Sequence, residues 1–153
     1  EPTTALDVTI QAQILDLMEG LKKERTMSVL LITHNLGIVA EAAQRVAVMY
    51  AGRILELAPT GMLFSRPLHP YTRGLLESIP RMEERVRTLK AIPGMVPSLE
   101  SLPSGCKFRN RCVFAEDACG KEEPSFLEAE PGHFVRCRRW DELRAPQDGG
   151  RTK

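Results

Sequence analysis

The chain has 153 residues, 42% of them apolar and 27% charged, with a formal net charge of +1. That is ordinary globular material, enough for one core and an appendage, and its bulk charge predicts no polyanion partner. There is no basic leader before an apolar stretch, and no apolar run near the ~18 residues of a membrane helix, so the expectation is a chain that neither spans a membrane nor carries a secretion signal.

Glu1-Pro2 opens the chain without an initiator Met, which gives the expectation that something upstream has been cut away. Asp7 is a good N-cap, and Val8 begins a helix whose Ile10, Ile14, Leu17, Met18 and Leu21 share one apolar face. Lys22 and Lys23 suit the negative end of its dipole. This helix reads as core packing. Residues 29–32 form a continuous apolar run of strand length, the pattern of a parallel strand covered on both faces. Helix followed by strand fits an α/β layer, where ligand groups sit at the carboxyl ends of strands, and His34 stands at such an end. Residues 36–44 read as a short helix. Residues 45–50 and 53–57 read as strands joined by a tight Ala51-Gly52 turn. Residues 59–65 form another short helix, and Pro70 suits the first turn of a further one reaching Ile79, with His69 as a capping or packing residue. From Pro80 to Pro103 a charged stretch gives way to Pro93, Gly94, Pro97 and Pro103, a turn-rich connector.

Four cysteines follow, Cys106, Cys112, Cys119 and Cys137. None forms a C-x-x-C pair, yet four thiolates in so short a segment close plausibly around one centre. A segment with few large apolar residues folds poorly without such a staple. Lys107, Arg109, Arg111, Arg136, Arg138 and Arg139 lie close in sequence to the cysteines and would offset the charge of four thiolates on either zinc or a four-iron cluster, so charge does not choose between the metals. His133 is taken as a surface residue.

The order Glu1, Thr4-Ala5-Leu6-Asp7, helix, strand, His34 resembles the second half of an ABC-type ATPase: the catalytic Glu closing the Walker B strand, the D-loop, a helix, a strand and the switch His. The stretches RPLHPYTRGLLESIPR, AIPGMVPSL and SLPSGCKFRNRC resemble a narrower group, the ATPase subunits of dipeptide and oligopeptide importers. The resemblance implies an α/β fold: the C-terminal half of an ABC-type ATPase domain plus a small, loop-rich, cysteine-metal extension. It divides the chain into an ATPase part at 1–79, a linker at 80–103, the extension at 104–140 and a tail at 141–153. It implies that Glu1 holds the water attacking the γ-phosphate of ATP–Mg2+, that His34 contacts that phosphate, and that Asp7 faces a partner subunit. It implies a four-iron, four-sulfur cluster on Cys106, Cys112, Cys119 and Cys137, with zinc as second choice. The implied partners are a second ATPase subunit, membrane-spanning permease subunits and, through them, an extracytoplasmic solute-binding protein; the implied place is the cytoplasmic face of the membrane. The chain holds no G-x-x-x-x-G-K-[ST] loop, so alone it is expected to be inactive. The alternative is a cysteine-metal module with a structural or nucleic-acid-binding role, its arginines on phosphates.

Overall fold

Asp7 caps the first helix as its position suggests: its side chain accepts from Ile10 N at 2.9 Å, and α1 runs over Val8–Arg25. Lys22, Lys23 and Arg25 occupy its last turn, and Thr26 ends it in the left-handed region at φ 50°. The computed structural model describes residues 7–79 and 91–144. The chain divides into two compact units, Glu1–Gln44 and Arg45–Lys153.

In the first unit the apolar run after α1 does not become a strand. Leu30 is 89% exposed and Ile32 69%, and among the described residues no strand pairs with them. Ile10, Leu17 and Leu21 on α1 are exposed as well, so the face expected to pack in a core lacks a cover there. Strand formation needs a neighbour to take the backbone N–H and C=O groups, and a sequence pattern alone cannot supply one. The short helix α2 (Leu36–Ala42) follows, with the Asn35 side chain accepting from Gly37 N at 3.0 Å and Ile38 N at 3.3 Å.

The second unit is built on β1 (Arg45–Tyr50) and β2 (Arg53–Pro59). Ala51 and Gly52 both take positive φ, 46° and 76°, the geometry that lets a two-residue turn match strand twist. Along β1, Val46, Val48 and Tyr50 point inward in alternation. Then come α3 (Thr60–Ser65), with Leu63 buried, and α4 (Pro70–Glu77), with Pro70 in its first turn. The C-terminal segment adds α5 (Ala118–Lys121), β3 (Leu127–Glu130), β4 (His133–Val135) and α6 (Trp140–Arg144).

The sheet has the order β1-β2-β4-β3, antiparallel throughout. It is a small mixed α/β arrangement in which β4 lies on β2, with Glu56 opposite Val135 and Leu57 opposite Phe134. In the structure β4 of the cysteine-bearing segment pairs with the open edge of β2, so the 45–57 hairpin shares one sheet with that segment. Leu55, Ala58, Leu63, Leu68, Phe108 and Val135 form the core of this unit.

Candidate functional site

Of the residues to which the resemblance gave chemistry, Glu1 lies outside the described residues. Asp7 is exposed and its carboxylate is engaged in capping α1. His34 is exposed in the turn before α2, where Thr33 Oγ1 accepts from Asn35 N at 3.0 Å. Both stand at helix starts in the first unit.

The four cysteines do come together. Cys106, Cys112, Cys119 and Cys137 line one cavity in the second unit with His69 and Phe108. The loop geometry that gathers them is specific. Gly105, at φ 61°, lets Cys106 N donate to Cys119 O at 2.8 Å, and a Cβ on Gly105 would collide with that carbonyl. Ser104 Oγ donates to Gly120 O at 2.9 Å beside it. Burial pushes the thiols of Cys106 and Cys112 up and that of Cys137 up to about 12.

The four-iron cluster expected from the resemblance is corrected here. Among the described residues no three His, Cys, Asp or Glu side chains form a group able to hold a metal ion. The shared cavity has a volume of about 20 Å³, room for a water-sized body. Three of the surrounding arginines are committed to backbone carbonyls. Arg111 donates to Pro93 O (2.8 Å) and Ile92 O (3.1 Å), Arg136 to Ile54 O and Pro124 O (both 3.1 Å), and Arg139 to Phe114 O (3.1 Å). They act as staples between loops.

Aromatic packing joins this segment to the hairpin. The Phe108 ring lies 5.3 Å from that of Tyr50, 5.2 Å from Tyr71 and 5.8 Å from His69. His69 caps α4 through Nδ1, which accepts from Tyr71 N at 3.0 Å, and burial pulls its pKa down to about 4 against the opposing pull of Glu56.

Sequence reasoning missed a second buried polar group. Glu56 and His133, the latter taken as a surface residue, are both 0% exposed and bond to each other at 2.7 Å. Glu56 also accepts from Leu68 N at 2.7 Å and His69 N at 2.9 Å. Burial alone would raise its carboxyl, but the bonds from His133 and the two amides hold it below the usual carboxylate range. The available signal was a charged residue interrupting the apolar strand 54–57.

An α/β chain with a cysteine-lined C-terminal segment narrows the class, and comparison with known proteins narrows it further. Residues 55–119 match the family model described as the oligopeptide/dipeptide transporter, C-terminal region. The chain is 56% identical over 151 residues to a putative peptide import ATP-binding protein of Brucella ovis, covering 95% of this chain and 45% of that protein. It is 52% identical over 147 residues to the oligopeptide transport ATP-binding protein AppD of Bacillus subtilis, covering 96% and 45%. A probable peptide ABC transporter ATP-binding protein of Sinorhizobium fredii is 54% identical over 144 residues, covering 94% and 43%. The chain therefore resembles the C-terminal region of peptide import ATP-binding proteins, and it spans about half the length of the curated relatives it matches. These relatives are named as ATP-binding proteins, with no iron–sulfur designation. Among the described residues no helix is long and apolar enough to cross a membrane.

Proposed function

We propose that this chain is the C-terminal part of the ATP-hydrolysing subunit of an ABC importer for peptides or peptide-like solutes. The observation that carries the reading is the uncovered apolar surface of the first unit. Leu30, Ile32 and the α1 face have the composition of core elements, yet they are exposed, and the relatives are more than twice as long as the matched segment. The remaining half of such a subunit would cover that surface and bring the phosphate-binding loop that this sequence lacks.

In the intact subunit ATP would supply the reacting phosphate and Mg2+ would offset its charge. Glu1 orients and polarises the attacking water, His34 contacts the γ-phosphate, and Asp7 faces a second ATPase subunit. The partners are that second subunit, membrane-spanning permease subunits and, through them, a solute-binding protein, at the cytoplasmic face of the membrane. The test is ATP turnover of the full-length subunit. Glu1→Gln is expected to abolish hydrolysis while leaving ATP binding, and His34→Ala to cut hydrolysis strongly. Wild-type rates in both variants would refute the two assignments.

Cys106, Cys112, Cys119 and Cys137 enter this proposal as one site of four thiols, supported by their common cavity. Alkylation of the native chain tests it: four thiols in one cavity should label slowly and together, and fast, independent labelling would remove the shared site.

A further inference from the structure

A single carboxylate in the second unit bonds to two segments far apart in sequence. Glu56, fully buried on β2, accepts from Leu68 N and from His133 Nε2 on one oxygen and from His69 N on the other. Leu68 and His69 form the turn that starts α4, whereas His133 begins β4 of the C-terminal hairpin. The other ring nitrogen of His133 is buried without a partner. The bond to Glu56 is therefore the polar contact that justifies burying this ring. The family match covers Glu56 and His69 but stops before His133.

The energetics make the two segments depend on each other. If the hairpin leaves, water reaches the carboxylate, and its two amide bonds lose the low-dielectric surroundings that strengthen them. If the turn leaves, a buried charge keeps only His133, which is strongly unfavourable. We propose that Glu56 and His133 form a latch that makes docking of the β3–β4 hairpin and seating of the His69-Pro70-Tyr71 turn one cooperative event. A disturbance of the C-terminal segment then reaches α4 through one side chain. A parallel route exists on the surface, where Glu130 pairs with Arg66 at 3.3 Å and Arg144 at 3.1 Å, but ion pairs with exposed arginines couple weakly.

Native-state hydrogen exchange on the whole chain tests the latch. In the wild type, Leu68 N and His69 N should share the protection of Arg136 N, which donates to Leu55 O at 2.7 Å as the hairpin docks, to within about threefold if they open as one unit. His133→Ala should lower protection at Leu68 and His69 at least about tenfold, although neither amide bonds to residue 133. Arg66→Ala should leave both amides unchanged. Distinct wild-type opening, unchanged protection in His133→Ala, or an equal loss in Arg66→Ala would each overturn the proposal. The wild-type comparison decides alone should His133→Ala fail to fold.

Discussion

Replacing Phe108 by Ala probes whether the cysteine-bearing segment and the β1–β2 hairpin form one core. Phe108 is 3% exposed, clusters with Tyr50 and Leu55, and is also packed by Tyr71, Ile92, Cys106 and Cys112. Truncating a buried Phe to Ala costs about 3–5 kcal/mol, the removed area and the cavity contributing together. The three aromatic neighbours at 5.2–5.8 Å place this site toward the upper part of that range. Phe108→Leu keeps most of the apolar volume but loses the edge contacts, so it should cost about 1–1.5 kcal/mol. Urea unfolding followed by fluorescence of Trp140, the single tryptophan and a member of the same unit, gives both numbers. The midpoint should move and the slope should not. A cost under about 1 kcal/mol for Ala, against the range for buried aromatics, or equal costs for Leu and Ala, would refute the shared core.

Two further outcomes follow from the same packing. Gly105→Ala combines a positive φ with a collision at Cys119 O, so it should cost about 2 kcal/mol or more and lower the melting temperature; an unchanged melting curve would contradict the geometry. His69, held to a pKa of about 4 in the folded chain against 6.5 as its ordinary value, stays neutral where the unfolded chain binds a proton. Its contribution is intact above pH 6.5 and is lost as pH falls toward 4, by up to about 3 kcal/mol. Glu56 adds a loss of the same sign lower down, as pH falls through its depressed pKa. Urea midpoints measured across this range should show the slope, and His69→Asn, which keeps a capping oxygen, should flatten it between pH 6.5 and 4.

The elements legible in the sequence were those specified by local chemistry. Asp7 as a cap, the Ala51-Gly52 turn, and Pro70 in the first turn of α4 each act within a few residues, and each element forms where its residues indicate. What stayed hidden depends on partners distant in sequence. The run 29–32 reads as a buried strand because its side chains are apolar, but a strand exists only when another chain segment accepts its hydrogen bonds. The hairpin β3–β4 was missed for the opposite reason. Leu127-Glu128-Ala129-Glu130 is too short and too charged to read as a strand, and it gains that form by pairing with β4, which in turn pairs with β2.

The candidate site divides along the same line. Cysteine spacing placed the four thiols in one segment, and in the structure they line one cavity, with the positive-φ turn at Gly105 bringing Cys106 against Cys119. It did not give the cavity's size, which depends on how Phe108, His69 and the β1–β2 hairpin pack against the loops. Glu56 makes the point most sharply. In the strand pattern it is one charged residue among Ile54, Leu55 and Leu57, where alternation would send a carboxylate to solvent. A buried carboxylate is tolerated only where donors converge on it. Those donors come from residues 68, 69 and 133, so no local window of sequence contains the reason for its burial.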